Sequence, residues 1–449
     1  MKNSLLFTAI AVASSQSMAS GFQLIEQSVS AMGTAYAGSA AKADDATTVY
    51  FNPAGMSRLK GKQISAGIHL VAPQGDFSND GSYVNPALTG GVVMPGSLTG
   101  PDDDSNTLGV VPNFYLVSQI NQDTHIGLGV NAPFGLATKY DNDWVGRYQA
   151  IDSEVKTVDI NPAISYRLND QLSIGFGVSA QYVKAKLTNA VDFGTICFDK
   201  IGPGACASSG VTPLNADGKA RVDGDSWDFG FNLGLLYAFT DQTRLGLSYR
   251  SKISHDLDGD AKFRVPAGFR GLLNFVGSTS FQNTDASASI DMPETAIISL
   301  YHQLNPKWAI MGEAAWTGWS RFEELRVEFD NPAQPDSVQP ENWDDSWRVS
   351  LGLTYTPNKT WTYRAGVAYD ETPIPGDKKR TPRIPGNSRT WLAFGLGYNI
   401  SQSVSIDAGY AHLFVDDSGV DQTGSTGHTL VGDYENSVDI LSAQINYKF

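Results

Sequence analysis

The sequence predicts an all-β membrane protein, a 14-stranded antiparallel transmembrane β-barrel with an N-terminal plug in its lumen. Two observations support this fold. Between residues 62 and 449, segments alternate apolar with small or polar side chains, and the connections between these segments are alternately short and long. Both properties are typical of barrels that span the outer membrane of a Gram-negative-type cell. The lumen is then the part of the molecule where a function is expected.

The alternation gives each predicted strand one apolar face, because successive side chains of a strand point to opposite sides. The clearest example lies in residues 228–240, where one face carries Phe229, Phe231, Leu233, Leu235, Tyr237 and Phe239. The same phase recurs in residues 361–369, 392–398 and 441–449. Aromatic residues near the ends of these segments are typical of the girdles that barrels place at the membrane interfaces.

The connections give the strand count. Short polar turns recur at residues 121–124, 169–171, 240–243, 305–307, 357–360 and 401–403. Longer loops rich in Gly, Pro and Asp lie near residues 75–107, 138–153, 189–222, 259–283, 330–342, 372–387 and 416–434. Seven long and six short connections predict fourteen strands, with the short turns at the periplasmic side. A soluble β-sandwich, the alternative, would not sort its connections into two length classes so regularly.

The first 19 residues predict a secretory signal peptide. Lys2 is followed by a largely apolar stretch over residues 5–13 and by the small-residue sequence Ser17-Met18-Ala19. A charged start, an apolar core and a small-residue cleavage site are the three parts of such a signal. No run of about 18 apolar residues follows, so the sequence predicts no membrane-spanning helix.

The composition limits what the protein can bind. The formal net charge of −15 argues against nucleic acid as a partner, and an anionic ligand would need basic residues close by. The six histidines lack the spacing of a metal site. The serine of Gly224-Asp225-Ser226 lacks the Gly-x-Ser-x-Gly frame of a hydrolase nucleophile. We therefore expect no metal, no cofactor and no enzymatic activity.

The two cysteines, Cys197 and Cys206, flank a segment that contains Gly and Pro. An exported protein folds in an oxidising environment, which favours a disulfide that closes this loop. Two free thiols are the alternative.

Residues 20–61 precede the first predicted strand and do not follow the alternation. They are rich in small residues and also contain Phe22, Leu24 and Ile25, which need to be buried. A fourteen-stranded barrel is wide enough to need a plug, so we expect this segment to fold back into the lumen. A periplasmic extension is the alternative.

The third predicted strand, residues 125–138, contains Gly127, Gly129, Pro133 and Gly135. Proline cannot donate a ladder hydrogen bond and glycine weakens a strand, so a bulge or bend is expected here. In a closed barrel such a local loss of pairing would leave a hole in the wall. A harmless bulge is the alternative.

The order of several short motifs resembles the FadL-type long-chain fatty acid transporters of the outer membrane. In the N-terminal segment these motifs are Ser20-Gly21-Phe22-Gln23-Leu24, Gly33-Thr34-Ala35-Tyr36-Ala37-Gly38, Ala43-Asp44-Asp45-Ala46 and Asn52-Pro53-Ala54. In the barrel they are Gly135-Leu136-Ala137-Thr138, Trp319-Ser320-Arg321-Phe322, Leu325-Arg326, Asp370-Glu371-Thr372-Pro373-Ile374-Pro375, Ile384-Pro385 and Trp391-Leu392. The resemblance covers essentially the whole chain after residue 19.

The resemblance implies a monomeric barrel in contact with outer-membrane lipid and lipopolysaccharide, plugged by an N-terminal hatch. It implies passive uptake of long-chain fatty acids, with capture among the outer loops, binding in a lumenal pocket, hatch movement and lateral exit at a kinked third strand. Other hydrophobic compounds such as aromatic hydrocarbons are the nearest alternative. A general porin or a surface receptor is a more distant one.

The resemblance also assigns roles to residues. It implies that Phe22 contacts the ligand and that Gly129, Pro133 and Gly135 shape the lateral gate. We expect Asn52, Pro53 and Ala54 to fix a turn of the hatch against the wall rather than to contact the ligand, because proline presets a backbone angle and asparagine can hydrogen-bond its own chain. Arg326 is the expected partner of the ligand carboxylate. From the residues alone, Lys184 and Lys186 are further candidates. Their even numbering puts them in phase with the apolar face that begins at Ile174, so the alternative is that they lie at the membrane rim and meet lipopolysaccharide phosphates. The second basic position of the family falls near Asn189, which is not basic.

Overall fold

The computed structural model describes residues 21–449, so the predicted signal peptide at residues 1–19 lies outside the described residues. Twenty antiparallel strands, β1–β20, build the wall of a closed barrel. Six of the barrel's spans each contain two strands, namely β3–β4, β8–β9, β10–β11, β12–β13, β14–β15 and β18–β19. The wall therefore has fourteen spans, as the sequence predicts. It closes where β1 pairs with both β2 and β20.

The strands are β1 (Lys62–Asn79), β2 (Gly109–Gln119), β3 (Thr124–Asn131), β4 (Gly135–Lys139), β5 (Asp152–Arg167), β6 (Leu172–Asp192), β7 (Asp217–Ala238), β8 (Thr243–Arg250), β9 (Ile253–Arg264), β10 (Thr284–Met292), β11 (Thr295–Asn305), β12 (Trp308–Thr317), β13 (Glu324–Phe329), β14 (Ser337–Pro340), β15 (Ser346–Tyr355), β16 (Trp361–Asp370), β17 (Arg389–Asn399), β18 (Val404–Val415), β19 (Ser418–Thr423) and β20 (Thr429–Lys448).

The helices are short and lie outside the wall strands. They are α1 (Val29–Met32), α2 (Ser39–Lys42), α3 (Thr48–Phe51), α4 (Phe193–Lys200), α5 (Pro203–Ser208) and α6 (Ala267–Phe275), with 3-10 turns at Pro53–Arg58, Pro86–Thr89 and Trp319–Arg321. Among residues 21–449, none of these helices has the length and apolar character needed to cross a membrane.

Side chains alternate across the wall as the sequence pattern predicts. On β7, for example, Phe229 is 73% exposed on the outer face, whereas Asn232 of the opposite parity is buried. The short turns lie where the sequence predicts them, as at residues 306–307 between β11 and β12. The predicted long loops are partly strand: β6 and β7 stay paired up to Asp192 and Asp217, because backbone hydrogen bonding continues above the apolar band.

The N-terminal segment, residues 21–61, occupies the barrel interior, and we call it the plug. Almost all of its residues are buried. Its backbone and side-chain atoms lie so close to inward-facing glycines that an added Cβ would meet a plug atom within 2.8 Å at each of them. These glycines, the glycine belt, are Gly127, Gly175, Gly234, Gly246, Gly352, Gly366, Gly395 and Gly409.

A buried ion pair adds polar contacts between the plug and the wall. Arg348 of β15 pairs with Glu313 of β12 at 2.7 Å and donates from Nη1 to the plug carbonyl of Ala35 at 3.0 Å. The second oxygen of Glu313 accepts from the backbone N–H and the hydroxyl of Ser39 at 2.8 and 2.7 Å. Charge-assisted hydrogen bonds of this kind are strong and directional, so they hold the plug in one position inside the barrel.

The glycine belt gives a first prediction. Gly234→Val should displace the plug, because the new side chain would collide with Asn52 and with Pro53 Cδ, which lies 2.9 Å from a Cβ at this position. The ion conductance of single barrels in planar bilayers should therefore rise above that of the wild type. Gly312→Val is the matched control, since the nearest atom to a Cβ there, Leu351 Cδ2, is 3.6 Å away. Equal conductance of assembled wild type and Gly234→Val would contradict the role of the glycine belt in holding the plug.

Candidate functional site

The third span of the barrel is interrupted between Asn131, where β3 ends, and Gly135, where β4 begins. Pairing of β2 with this span stops at Phe114 and Val130. Above that point, residues 109–113 of β2 pair with β1, and β4 pairs with β5. Within the described residues no ladder joins the upper part of β2 to β4. We call this interval the wall gap.

The inner side of the wall gap is paired with the plug instead. Leu24 donates its N–H to the carbonyl of Pro133 at 2.8 Å, and Gly135 donates to the carbonyl of Phe22 at 2.9 Å. Gln23 and Phe134 thereby form an antiparallel bridge. Residues 22–24, the terminal segment, thus take the place of a missing strand neighbour.

The side chain of Phe22 is only 2% exposed and lies in a cluster of aromatic rings. Its ring centroid is 4.8 Å from that of Trp319, 5.9 Å from Phe322, 6.0 Å from Phe134 and 6.1 Å from Trp343. Aliphatic side chains complete this lumenal cluster, namely Leu136, Val155, Val183, Ile253, Leu257, Ile290, Met292, Ile374 and Ile384. The cluster is an apolar region that includes both the tip of the plug and the kink of the third span.

A guanidinium borders this cluster on its outer side. Arg383, next to Ile384 of the cluster, donates from Nη1 to Ser153 Oγ at 2.8 Å and forms no ion pair with an acid in the described part of the chain. Burial lowers the pKa of Arg383 to about 10, so it remains charged at neutral pH. A cation without an acid partner beside an apolar region is suited to hold a carboxylate.

Glu341 lies in the same outer region. Its Oε2 accepts a hydrogen bond from Trp343 Nε1 at 3.0 Å. Burial raises the pKa of this carboxyl to about 7, although the charge of Arg383 acts in the opposite direction. The local charge around Arg383 therefore depends on pH near neutrality.

Below the terminal segment, charged side chains join apolar ones around the lumen. A cavity of about 60 Å³, room for a few water molecules, is lined by the charged side chains of Arg250, Arg348, Asp370 and Arg389 and also by apolar ones such as Phe51. Gln23 separates it from the lumenal cluster: its amide donates to Thr295 Oγ1 at 3.1 Å and accepts from Thr317 Oγ1 at 3.2 Å. We call this space the polar chamber.

The basic residues chosen from the sequence lie outside the lumenal cluster. Arg326 is on β13 with its side chain 41% exposed, and it pairs with Glu324 at 2.7 Å and with Asp336 at 3.1 Å. The charge of Arg326 is therefore neutralised by two acids, and the side chain lies outside the barrel interior. This position does not support the assignment of Arg326 to a ligand carboxylate. Arg383, beside the lumenal cluster, is the better-placed cation.

Lys184 and Lys186 likewise do not reach the interior. Both project to the outer side of β6, because even-numbered residues of this strand, such as Ile174, face outward. Lys186 pairs with Asp152 at 2.8 Å. This geometry corrects their selection as ligand contacts and leaves the membrane-rim alternative.

The remaining sequence candidates lie where the plug meets the wall. Asn52 donates to the carbonyls of Ala40 at 2.7 Å and Leu235 at 3.0 Å, and Pro53 and Ala54 pack on glycines of β6 and β7. These three residues hold the plug and do not contact the lumenal cluster. Gly129 lies on β3 before the interruption. Trp319 and Phe322, the ends of one barrel motif, belong to the lumenal cluster.

The outer loops carry a small helical unit. A disulfide joins Cys197 of α4 to Cys206 of α5, and Phe193 of α4 packs on Phe269 of α6 with ring centroids 5.3 Å apart. Leu272, Phe275 and Val276 form an apolar surface at the end of α6, where Phe275 is 88% exposed. We call these three residues the outer apolar surface.

Sequence reasoning missed Arg383, Glu341 and Trp343. Arg383 and Glu341 lie in long outer loops and Trp343 directly follows one, where no alternation indicates which way a side chain points. Arg383 directly precedes the Ile384-Pro385 motif, and this adjacency was the one signal that could have identified it.

Comparisons with known proteins agree with this architecture. Residues 10–449 match the family described as "Outer membrane protein transport protein (OMPP1/FadL/TodX)". The chain is 33% identical over 417 residues, 91% of its length and 90% of the relative's, to a long-chain fatty acid transport protein of Escherichia coli O6:H1. It is 31% identical over 430 residues, 91% of its length and 89% of the relative's, to outer membrane protein P1 of Haemophilus influenzae.

Solved structures share the fold. A FadL homologue of Pseudomonas aeruginosa superimposes with a TM-score of 0.84 at 25% identity, covering 96% of this chain and all of that one. The Pseudomonas putida toluene transporter TodX superimposes with a TM-score of 0.70 at 20% identity, covering 97% of this chain and all of that one. The barrel with its interrupted third span therefore belongs to the OMPP1/FadL/TodX family of outer-membrane proteins, which are transporters of hydrophobic compounds and not enzymes.

Proposed function

We propose that this protein takes up long-chain fatty acids through the outer membrane and releases them sideways through the wall gap. The observation that carries the proposal is the double role of the terminal segment. Phe22 lies in the lumenal cluster, and the backbone of the same three residues pairs with the kink beside the wall gap. A ligand that displaces Phe22 would therefore also unpair the kink.

Uptake begins at the outer apolar surface. An exposed phenylalanine at the end of α6 offers a first contact for an apolar chain, since burying apolar surface is favourable by about 25 cal/mol per Å². The disulfide between α4 and α5 supports this surface by fixing the helices on which α6 packs. We infer that Lys184 and Lys186, on the outer side of β6, lie at the membrane rim and meet lipopolysaccharide.

The second step places the acyl chain in the lumenal cluster and the carboxylate at Arg383. The chain replaces contacts among the aromatic rings, and the carboxylate meets a guanidinium that has no acid partner in residues 21–449. A buried carboxylate without such a partner would be costly, so the cation decides which end of the ligand faces outward. The apolar end then points towards Phe22.

The third step opens the wall gap. Displacing Phe22 breaks the hydrogen bond from Gly135, and moving Leu24, two residues further along, breaks the bond to Pro133. Each backbone hydrogen bond contributes roughly 0.5–1.5 kcal/mol, which the burial of a few methylene groups offsets at about 0.8 kcal/mol each. A long acyl chain thus has enough binding energy to release the terminal segment.

The polar chamber favours a sideways exit over a downward one. An acyl chain moving down past Gln23 would enter a space bordered by Arg250, Arg348 and Arg389. That movement would bring part of the chain's apolar surface against charged groups and water. Movement through the wall gap instead leads to the hydrocarbon of the membrane, where each methylene group keeps an apolar environment.

An aromatic hydrocarbon is the second candidate ligand. Four aromatic rings surround Phe22, and the fold is shared with proteins described as toluene transporters. Arg383 favours the fatty acid, because toluene has no group that this cation would bind. Relatives described as long-chain fatty acid transport proteins also have higher identity, 33% against 20%.

Locking the terminal segment to the kink should block uptake. Gln23 and Phe134 face each other as a pair without mutual backbone hydrogen bonds, the close type of antiparallel pair, which suits a disulfide. In the Gln23→Cys/Phe134→Cys variant, uptake of radiolabelled oleate by cells should fall to background when the pair is oxidised and return on reduction.

Each single cysteine variant under the same oxidising and reducing treatments is the matched control. These controls also report any effect of reducing the native Cys197–Cys206 disulfide. Uptake that persists with the engineered disulfide fully formed would refute the role of the terminal segment.

Arg383 should discriminate acids from alcohols. Arg383→Ala should weaken oleate binding about 10- to 100-fold, because a hydrogen bond to a charged group contributes about 1.5–3 kcal/mol, and should change oleyl alcohol binding little. Titration of purified protein with both ligands measures this. Arg326→Ala, which removes an exposed and paired arginine, is the control and should change neither affinity. Equal losses for acid and alcohol would exclude a carboxylate contact at Arg383.

Binding of anionic ligands should weaken as pH rises through 7. Burial raises the pKa of Glu341 to about 7, so this carboxyl is neutral below that pH and negative above it. A negative Glu341 would repel an anion held at Arg383 and compete with it for the guanidinium. The affinity for an alkyl sulfonate, which stays ionised throughout, should therefore fall between about pH 6 and about pH 8. Glu341→Gln should remove the pH dependence; the same slope in that variant would contradict the assignment.

A further inference from the structure

The kink is a bulge with an unequal residue count. Asn131 pairs with Asp159 and Gly135 pairs with Lys156. Residues 132–134 of the third span therefore face two residues, 157 and 158, of β5. With one residue in excess, the regular ladder cannot satisfy every backbone group in this interval.

A side chain of β5 binds the backbone groups of Phe134 that the ladder leaves without a partner. Phe134 donates its N–H to Thr157 Oγ1 at 3.0 Å, and the same hydroxyl donates to the carbonyl of Phe134 at 2.6 Å. Thr157 is 3% exposed and points inward. Its hydroxyl thus acts as both acceptor and donor, which is the role that a backbone neighbour has in a regular sheet.

We propose that Thr157 is a positioning residue of the lateral gate, one that holds the kink in the geometry that the terminal segment recognises. In an extended chain the backbone groups of successive residues point to opposite sides. With both groups of Phe134 directed to Thr157, the carbonyl of Pro133 and the N–H of Gly135 are directed to the plug. This inference rests on the proposed uptake through the wall gap.

Thr157 differs from the other side chain that binds the kink. Gln27 donates from Nε2 to the carbonyl of Ala132 at 2.7 Å, but Gln27 belongs to the plug. Its bond is lost whenever the plug's N-terminal part moves. Thr157 belongs to the wall and stays bonded to Phe134 after the terminal segment has left. Thr157 of the wall therefore maintains the kink in both states, whereas the terminal segment of the plug covers the wall gap only while it is paired with the kink.

The test compares Thr157→Val with Thr157→Ser. Valine keeps the shape of threonine but can neither donate nor accept, so both backbone groups of Phe134 lose their partner, whereas serine keeps the hydroxyl. Oleate uptake by cells should fall at least about tenfold in Thr157→Val, the effect of about 1.4 kcal/mol, and return to within about twofold of wild type in Thr157→Ser. Oleate affinity of the purified protein should stay within about twofold in both, since Thr157 is not part of the lumenal cluster.

Ser165→Ala is the matched control, since it removes a buried, inward-facing hydroxyl of the same strand that has no hydrogen-bond partner in residues 21–449. Heat-modifiable migration in gels verifies that each barrel has assembled. If Thr157→Val does not assemble, Thr157→Ala against Thr157→Ser makes the same comparison.

Normal uptake by an assembled barrel without the hydroxyl, or equal losses in the serine and valine variants, would overturn the inference. No uptake of oleate by the wild type would instead overturn the proposed function. The two failures are therefore distinguishable.

Discussion

The structure depends on one short seam, the pairing of the plug's terminal segment with the kink of the third span. A closed barrel satisfies its backbone groups between neighbouring strands, and the membrane offers no water to satisfy those left over. At the kink the ladder fails, and its groups are satisfied by residues 22–24 on one side and by the hydroxyl of Thr157 on the other. The plug is therefore part of the wall at this point, which makes its position a condition for closure.

The surrounding contacts divide the plug into a fixed part, which lies on the glycine belt, and the terminal segment, which lies at the kink. Residues 32–56 lie against the glycine belt and are held by polar contacts such as those of Glu313 and Asn52. The terminal segment is held by two backbone hydrogen bonds, the Gln23 contacts and the ring of Phe22. A ligand that competes for the apolar surroundings of Phe22 acts on the terminal segment, while the fixed part continues to fill the lumen.

Much of this could be predicted from the sequence because the signals are local. Period-two alternation and the lengths of the connections predict the fourteen spans of the wall, and Pro133 among glycines indicates an irregular third span. The basic residues could not be placed in this way. Parity directs Lys184 to the outer side of β6, but the acids near Arg326 and the surroundings of Arg383 depend on loops that meet only in the folded chain. Thr157 gives no sequence signal, because its role arises from a residue count between two strands.

Amide hydrogen exchange of Leu24 and Gly135, with and without oleate, tests the central claim most directly. These two N–H groups form the seam, so their protection reports whether it is closed. Oleate should lower the protection of both amides together, while amides of the fixed part, such as that of Asn52, keep theirs. Unchanged or increased protection of Leu24 and Gly135 in protein saturated with oleate would contradict the coupling of ligand binding to the wall gap.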